Sequence, residues 1–328
     1  MTLDPTPRDD LQRELTGLRA LLLDMDGVVV LRGAVIPGAA EALASLEARS
    51  IPYVIATNTS LYSRATLSRE LRGAGLAVGP ERIVSAASVA AGYCRRHFPD
   101  AQLYVLGAPD GLAEFDGLRL LSHREAAEPD ARAAAVVIGD AAEEFTPRNM
   151  QSAFTLLRNG ARFIAMHKNR WWLTQAEVLL DVGAYVAGLE YAIERRALVT
   201  GKPSRAFFAE AVRVLAAVLA AVPAAVPPKV PAAVPGAGSR LSPREVAMVG
   251  DDLWNDVRGA QRAGLRGVFV LSGKHGAAEL AHAAAERPAW APDAVAPSIA
   301  EVVAALDDPP LGGSSGGTAG ARRSAKRR

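Results

Sequence analysis

Two aspartates at the end of an apolar segment are the first residues of this sequence whose types and spacing suit chemistry. Asp24 and Asp26 follow the apolar run Ala20–Leu23, and Gly27 comes next. A run without polar residues is typical of a strand in a parallel sheet, and sites in such sheets lie beyond the carboxyl ends of the strands. Two carboxylates this close repel each other unless a cation or a shared proton intervenes. The pattern indicates a candidate site, although an Asp-Gly pair also marks ordinary turns.

Three other predicted strands also end in polar residues that could act on a phosphate or a cation. These residues are Thr57 and Asn58 after segment 53–56, Lys202 after segment 197–200, and Asp251, Asp252 and Asp256 after segment 246–249. A hydroxyl and N–H groups at a helix N-terminus can hold a phosphate oxygen, although Thr57 and Asn58 could equally cap the following helix. Lys202 could neutralise a phosphate and a nucleophile, although a lysine before a proline is usually solvated.

The strands that carry these residues alternate with segments of helical period. Strand–helix–strand–helix order predicts a right-handed parallel α/β unit. From about residue 87 a second series of strands and helices begins, which is enough for a small α/β domain. Three Asp-Gly or Gly-Asp pairs in this second series lack a second acid in Asp-x-Asp spacing, and we interpret them as turns. They are Asp110-Gly111, Asp116-Gly117 and Gly139-Asp140.

The segment 167–172 places cations beside two tryptophans. Lysine and arginine donate hydrogen bonds to phosphate, and tryptophan faces stack on rings or cations. His167, Lys168 and Arg170 are therefore candidates for substrate selection. The alternative is an amphipathic loop whose tryptophans pack at a seam between two domains.

The composition limits the kinds of partner. With 328 residues, one large or two ordinary domains are expected. The net charge of +2 does not indicate a broad nucleic-acid surface. The one cysteine, Cys94, excludes an internal disulfide and fits a reducing compartment. We see neither a signal peptide nor a membrane-spanning stretch, so we expect a cytoplasmic protein without a membrane partner.

Taken in order, these polar segments resemble the four motifs of the haloacid dehalogenase (HAD) superfamily of aspartate-nucleophile phosphatases. The segments 179–192, 199–203 and 250–264 are similar to the group with a large inserted α/β cap, subfamily IIA, which includes the phospholysine phosphohistidine inorganic pyrophosphate phosphatases and their haloacid dehalogenase-like neighbours. The resemblance covers about residues 20–276. It implies an α/β fold in which a smaller α/β cap is inserted into a Rossmann-like parallel-sheet core.

Domain boundaries follow from this resemblance and from the change in composition along the chain. We expect the HAD core at 19–86 and 181–308 and the cap at 87–180. A Pro/Ala-rich insertion at about 216–242 departs from the family pattern, and it lies outside the motifs. Residues 309–328 are expected to form a disordered basic tail.

The resemblance also implies roles for the polar residues. Asp24 would attack phosphorus and form an aspartyl-phosphate, and Asp26 would act as general acid and then as general base. Mg²⁺ would be the cofactor, held by the side chains of Asp24 and Asp251 and by the backbone carbonyl of Asp26. Phosphate would be bound by Thr57, Asn58 and Lys202. Asp252 and Asp256 would support the metal site.

The expected reaction is Mg²⁺-dependent hydrolysis of a small phosphorylated metabolite, a phosphoamino acid or pyrophosphate. Two alternatives are a non-catalytic regulatory protein that binds a phospho-ligand and a phosphotransferase on the same fold. The Asp26 position argues against the first, because a binding module does not need an acid–base residue. A homodimer through the cap is expected from the family, and no specific nucleic-acid partner is expected.

Overall fold

The computed structural model describes residues 8–173, 177–221, 241–287 and 289–307. The strands are β1 (Ala20–Leu23), β2 (Val30–Leu31), β3 (Ala34–Val35), β4 (Tyr53–Thr57), β5 (Ile83–Ser85), β6 (Gln102–Leu106), β7 (Arg119–Leu120), β8 (Ala135–Ile138), β9 (Arg162–Ala165), β10 (Trp171–Leu173), β11 (Val178–Leu180), β12 (Leu198–Val199), β13 (Val246–Gly250), β14 (Arg266–Val270) and β15 (Ala294–Ala296). The α-helices are α1 (Arg8–Leu15), α2 (Ala39–Ala48), α3 (Arg64–Gly73), α4 (Ala86–His97), α5 (His123–Ala126), α6 (Pro147–Arg158), α7 (Gly183–Ile193), α8 (Arg205–Ala221), α9 (Gly259–Arg262), α10 (Ala277–Glu286) and α11 (Ile299–Asp307).

Six of the described strands form the first sheet, in the order β15-β14-β13-β1-β4-β5, and all neighbours are parallel. The chain runs outward from β1 through β4 to β5 and in the other direction from β13 through β14 to β15. The direction of winding therefore changes between β1 and β13. Open α/β sheets bind their ligands at such a switch point, beyond the carboxyl ends of the strands.

The apolar run of β1 is buried on both faces of this sheet. Leu21 and Leu23 pack in a cluster with residues of α1, α2 and α11, whereas Leu22 packs in another cluster with residues of α8. Side chains alternate between the two faces along a strand, so a strand covered by helices on both sides must be apolar at every position. Complete burial of one leucine contributes roughly 1.5–3 kcal/mol, which anchors the strand that leads to Asp24.

Five other described strands form a second parallel sheet, in the order β12-β9-β8-β6-β7. Residues of α6 and α7 pack on one face of this sheet, and residues of α4 pack on the other. The chain enters this unit at α4 and leaves it after β12. We call residues 86–199 the inserted unit. The predicted fold class, a parallel α/β core with a smaller inserted α/β unit, is confirmed.

The predicted boundary at residue 181 is wrong for residues 181–199. Val186 of α7 packs against the second sheet, and Leu198 of β12 pairs with Ile164 of β9. The first-sheet unit resumes after β12, where Phe207 of α8 packs in the cluster that contains Leu22. A two-residue apolar strand carries no local signal of which sheet it joins, so the sequence alone did not reveal its partner.

Other sequence expectations concern segments outside the two sheets. The first residues of the Pro/Ala-rich insertion belong to α8, which is described as far as Ala221. The Pro/Ala-rich remainder of the insertion to residue 240 and the basic tail at 309–328 lie outside the described residues. Within the described part of the chain, no helix has both the length and the apolar character needed to cross a membrane.

Candidate active site

Asp24 lies at the switch point of the first sheet, directly after β1. Its N–H donates to the Val249 carbonyl of β13 at 2.9 Å, which continues the strand pairing by one residue. Its Oδ1 accepts hydrogen bonds from Met25 N and Lys202 Nζ, both at 2.8 Å. No described residue donates to Oδ2. The carboxylate is therefore held by one oxygen, and the other remains available.

Lys202 joins three parts of the site. Its Nζ lies 2.8 Å from Asp24 Oδ1, 2.7 Å from Asp256 Oδ1 and 2.8 Å from the Ala56 carbonyl, and the side chain is 2% exposed. Burial alone would lower the pKa of Lys202, but the Asp24 and Asp256 carboxylates raise it above its ordinary value. The lysine is therefore a permanent buried cation beside Asp24.

The position of Lys202 differs from the prediction that it follows a strand of the same sheet as Asp24. It follows β12 of the second sheet, and Asn58 brings it to the first. Asn58 Oδ1 accepts the Lys202 N–H at 2.7 Å, and Asn58 Nδ2 donates to the Lys202 carbonyl at 3.1 Å. The Asn58 side chain thus positions Lys202. The backbone N–H of Asn58 remains the candidate donor to phosphate.

Three carboxylates converge next to Lys202. Oxygen atoms of Asp24, Asp251 and Asp256 all lie within 4.8 Å of one another, and all three residues are buried. Burial raises the pKa of Asp24 to about 6 and that of Asp251 to about 7, and mutual repulsion adds to both shifts. Burial also raises the pKa of Asp256 well above its ordinary value.

This cluster fits a hard divalent cation. Lys202 supplies one positive charge against three buried carboxylates, so negative charge remains to be compensated. Mg²⁺ prefers oxygen ligands, commonly one or two carboxylates together with waters and substrate phosphate. The donor set therefore matches that ion, and the softer sulfur and nitrogen ligands favoured by zinc are not in the cluster.

Asp251 is enclosed by two turns of the chain. Gly27 has a φ of 79°, a conformation strained for residues with a side chain, and a Cβ there would collide with the Asp251 carboxylate. From the loop after β14, Lys274 N donates to Asp251 Oδ2 at 2.5 Å, and Ser272 Oγ donates to the Gly27 carbonyl at 2.6 Å. Lys274 was not among the candidate residues of the sequence, although it too follows an apolar strand.

The structure separates Asp252 from Asp256, which the sequence placed together. Asp256 belongs to the carboxylate cluster. Asp252 turns away, and its Oδ1 accepts the N–H groups of Trp254 and Asn255 at 2.9 Å each, as an N-cap does. Its Oδ2 lies 3.2 Å from Lys274 Nζ. These contacts lower the pKa of Asp252 against the effect of burial.

Asp26 differs from Asp24 in its exposure. Its side chain is open to solvent and is not part of the carboxylate cluster. Removal from part of the surrounding water raises the pKa of Asp26, while Lys202 acts in the opposite direction.

Thr57 ends β4 in the same sheet, and its Oγ1 accepts the Thr59 N–H at 3.2 Å. This contact shapes the loop whose N–H groups could face a phosphate.

The three candidate selection residues of segment 167–172 have different surroundings. Lys168 Nζ lies 2.7 Å from Glu190, and Arg170 is exposed. Trp171 is consistent with the alternative interpretation, because its ring centroid lies 4.4 Å from Lys274 Nζ of the first-sheet unit. Asn169, which was not among the candidate residues of the sequence, also joins the two units. Its Oδ1 accepts the side-chain amides of Asn58 at 3.3 Å and Asn255 at 3.2 Å.

His167 belongs to a buried network that also includes Asp140. His167 Nε2 lies 2.9 Å from Asp140 Oδ2, which accepts the Ser60 hydroxyl at 2.7 Å. A carboxylate oxygen of Asp181 lies within 4.8 Å of ligand atoms of both Asp140 and His167. Burial alone would lower the pKa of His167, but Asp140 raises it. Asp140 is thus more than the turn residue that was predicted, because it fixes the loop that follows Thr57.

Comparison with known proteins assigns the family. The chain matches the family described as haloacid dehalogenase-like hydrolase over residues 21–120 and the one described as HAD-hydrolase-like over residues 199–302. It is 33% identical to haloacid dehalogenase-like hydrolase domain-containing protein 2 of Bos taurus over 262 residues, 80% of this chain and 87% of that protein. It is 30% identical to the phospholysine phosphohistidine inorganic pyrophosphate phosphatase of Homo sapiens over 268 residues, 80% of this chain and 86% of that protein.

A solved structure with the same architecture is the p-nitrophenyl phosphatase from Archaeoglobus fulgidus. The TM-score is 0.74 at 25% identity, and the alignment covers 88% of this chain and 99% of that one. The fold and the relatives together define a hydrolase with a parallel α/β core and an inserted α/β unit. The chain belongs to the haloacid dehalogenase-like hydrolases, subfamily IIA, and it is a phosphatase of that family.

Proposed function

We propose that this phosphatase hydrolyses a small phosphorylated molecule through an aspartyl-phosphate on Asp24, with Mg²⁺ as cofactor. The observation that carries the proposal is the asymmetry of the Asp24 carboxylate. Lys202 and the Met25 N–H hold Oδ1, whereas Oδ2 accepts no hydrogen bond from the described residues. A carboxylate with one fixed and one available oxygen is suited to attack phosphorus along a single direction.

The residues around Asp24 supply the two proton transfers. In the first step Asp24 Oδ2 bonds to phosphorus, the bond to the leaving oxygen breaks, and Asp26 gives its proton to that oxygen. In the second step Asp26 takes a proton from water, the water oxygen bonds to phosphorus, and Asp24 is released. The exposed position and raised pKa of Asp26 support this role.

The acidic cluster and the neighbouring loops account for metal and phosphate binding. The side chains of Asp24 and Asp251 and the backbone carbonyl of Asp26 would hold Mg²⁺, and Asp256 would support them. When bound, the ion offsets the repulsion between a carboxylate and an anionic phosphate and stabilises charge in the transition state. The loop after β4, with Thr57 and Asn58, would bind the phosphate oxygens. Lys202 would attract the phosphate through its positive charge, because its three N–H donors face Asp24, Asp256 and the Ala56 carbonyl.

The inserted unit would act as the cap that limits access to Asp24. The substrate classes consistent with this proposal are phosphorylated metabolites, phosphoamino acids and pyrophosphate, and the human relative is named for phosphoamino acids and pyrophosphate. A cytoplasmic location and a homodimer through the inserted unit remain predictions. A light-scattering mass equal to one chain would exclude the dimer.

The test is phosphate release from a panel of phosphorylated metabolites, phosphoamino acids and pyrophosphate with Mg²⁺, for the wild type and Asp24→Asn in parallel. We expect release by the wild type only, because an amide cannot act as the nucleophile, while the circular dichroism spectrum of the variant stays unchanged. Turnover by Asp24→Asn at the wild-type rate would refute the assignment. Adding an acceptor alcohol distinguishes hydrolysis from phosphoryl transfer, because transfer produces a new phosphate ester.

A further inference from the structure

The segment between β4 and α3, residues 58–63, begins at the proposed phosphate-binding loop and contains neither helix nor strand. We call it the connecting segment. Several of its N–H groups donate to side-chain oxygens: Thr59 to Thr57 Oγ1 at 3.2 Å, Ser60 to Asp140 Oδ2 at 3.3 Å and Ser63 to Asp110 Oδ2 at 2.7 Å. Asp110 and Asp140 belong to the inserted unit. The conformation of the connecting segment therefore depends on residues of the second-sheet unit.

The contact nearest to Thr57 joins Ser60 to Asp140. The Ser60 hydroxyl donates to Asp140 Oδ2 at 2.7 Å, and Ser60 Oγ accepts the Asp140 N–H at 2.8 Å. Ser60 is buried, and His167 Nε2 lies 2.9 Å from the same Asp140 oxygen. The two units are thus joined at Ser60 by hydrogen bonds in both directions.

A second set of contacts lies at the start of α3. Asp110 Oδ1 accepts the Thr66 hydroxyl at 2.9 Å while its other oxygen accepts the Ser63 N–H, and Glu114 accepts the Arg64 N–H at 2.8 Å. Acids at a helix N-terminus stabilise the helix, which would be a sufficient reason for these two acids alone. It does not account for Asp140, because its partner Ser60 precedes the N-cap of α3.

Two glycines allow the inserted unit to approach Ser60. A Cβ at Gly111 would collide with the Ser60 carbonyl, and a Cβ at Gly139 would lie 2.8 Å from Ser60 Oγ. These glycines adjoin Asp110 and Asp140 in the two pairs that the sequence analysis interpreted as turns. In both pairs the acid accepts an N–H of the connecting segment, and the glycine leaves space for its backbone or side chain.

We propose that Asp110 and Asp140 are positioning residues of the phosphatase, which hold the connecting segment so that the N–H groups after Thr57 face the phosphate. The proposal rests on the proposed function, because it assumes that this loop binds the phosphate. Displacement of a binding group by about 1 Å can lower the rate about 100-fold, so contacts that do not touch the phosphate affect its reaction. The inserted unit would then contribute to phosphate binding as well as to access.

The experiment measures the affinity of inorganic phosphate in Mg²⁺ buffer and the affinity of Mg²⁺ alone, both by calorimetry. It also measures kcat/KM for the best substrate of the panel. Each protein is studied well below its own Tm, so that folded states are compared.

The variants separate position from charge. Ser60→Ala removes the hydroxyl contacts and leaves the pair of Asp140 and His167 in place. Asp110→Ala removes both contacts of an exposed side chain, so we expect this variant to fold, whereas Asp110→Asn removes the charge and retains an acceptor oxygen for the Ser63 N–H. Asp116→Ala is the matched control, because Asp116 is the exposed acid of the third pair and makes no side-chain contact with the connecting segment.

Ser60→Ala and Asp110→Ala should lower phosphate affinity and kcat/KM by about 10- to 100-fold, with the Mg²⁺ affinity unchanged because the carboxylate cluster lies outside the connecting segment. Asp110→Asn and Asp116→Ala should stay near the wild-type values. Removal of negative charge alone would leave phosphate binding unchanged or make it tighter, and that result in Asp110→Ala overturns the proposal. Equal loss in Asp110→Ala and Asp110→Asn, or a parallel loss of Mg²⁺ affinity, also overturns it.

The two assays separate this proposal from the proposed function. A wild type that binds phosphate but hydrolyses no compound of the panel refutes the proposed hydrolysis, and the phosphate affinities of the variants still decide the positioning role. A wild type that hydrolyses the panel while Ser60→Ala and Asp110→Ala equal it in both assays leaves the proposed function intact and refutes the positioning role. A wild type that neither binds phosphate nor hydrolyses the panel refutes both.

Discussion

Asp24 and Asp26 are two residues apart in the chain, yet their surroundings suit them to different tasks. Asp24 is buried and bonded to a permanent cation, and Lys202 opposes the rise in the pKa of Asp24 that burial causes. Asp26 is exposed and has no part in the carboxylate cluster. Its raised pKa favours a proton that can be given to a leaving group. One Asp-x-Asp segment therefore presents its two carboxylates in different surroundings, as the proposed roles of nucleophile and acid require.

The first residue-scale prediction concerns Asp26→Asn. We expect kcat to fall by about 10²- to 10⁴-fold, because proton transfer by a positioned side chain contributes roughly that factor. Mg²⁺ affinity should stay close to that of the wild type, since the Asp26 side chain is outside the cluster. Steady-state kinetics and calorimetric Mg²⁺ titration measure the two effects. An unchanged kcat would remove Asp26 from the acid–base role.

A second residue-scale prediction compares two neighbouring aspartates. Asp256→Asn should weaken Mg²⁺ binding by about 10-fold or more, the effect of losing a group that supports metal ligands. Asp252→Asn removes the same charge, but asparagine is also a good N-cap, so the local helix and the Mg²⁺ affinity should persist. The measurement is calorimetric Mg²⁺ titration of both variants. Equal weakening would show that overall charge matters and that position in the cluster does not.

At the scale of elements, the loops beyond the strands of the two sheets meet around Asp140. The loop after β8 carries Asp140, the loop after β9 carries His167, and Ser60 lies in the loop after β4. Because these loops bond to one another across the junction, the inserted unit holds the loop that follows Thr57. This arrangement links the second sheet to the proposed phosphate-binding segment.

The prediction for this network is that Asp140→Ala lowers the free energy of unfolding by roughly 3 kcal/mol or more, as expected when a buried ion pair loses one partner. Asp116→Ala is the matched control. Asp116 was also interpreted as a turn residue, but it is exposed, and the change should stay within about 0.5 kcal/mol. Urea denaturation followed by circular dichroism measures both. Similar stabilities for the two variants would show that the Asp140 network adds nothing to folding.

The elements show how far the sequence could predict the site. The strands before Asp24, Thr57 and Asp251 are apolar throughout, so their carboxyl ends and the polar residues there could be located from the pattern alone. Lys202 was expected at the site, but its position after a strand of the second sheet was not. The pairing of β12 with β9 depends on contacts distant in sequence, so no local pattern predicts it. Asp140 and Asp110 were both interpreted as turn residues like Asp116, and only their three-dimensional neighbours, Ser60 for Asp140 and Ser63 and Thr66 for Asp110, distinguish them.

At the scale of the molecule, the acidic cluster couples folding to metal and proton binding. Without metal, the pKa values of Asp24 and Asp251 are about 6 and 7 in the folded protein, against about 3.9 for an unfolded aspartate. The folded state therefore binds more protons than the unfolded state between these values. Stability from these groups is present at about pH 4 and is lost as the pH rises through 6 to 7.

The resulting prediction is that Mg²⁺ stabilises the protein more at pH 7.5 than at pH 5. At the lower pH protons compete for the same carboxylates, whereas at the higher pH the ion compensates charges that otherwise repel. Thermal unfolding with EDTA and with Mg²⁺ at the two pH values gives the shifts in Tm. Asp251→Asn is the control and should reduce the shift at pH 7.5. A Mg²⁺-dependent shift that is larger at pH 5 would contradict this account.

The inserted unit also affects how the protein could evolve. The inserted unit, residues 86–199, is continuous in sequence, and the chain returns to the first-sheet unit shortly before Lys202. Asp24, Asp251 and Asp256 all lie outside the inserted unit. Under the proposed function, gene changes that remodel or exchange residues 86–199 would alter which molecules reach Asp24, while Asp24, Asp251 and Asp256 stay encoded elsewhere. Contacts across the junction constrain such changes, because a replacement unit must still supply the acceptors that Asn169 offers to Asn58 and Asn255 and that Asp140 offers to Ser60.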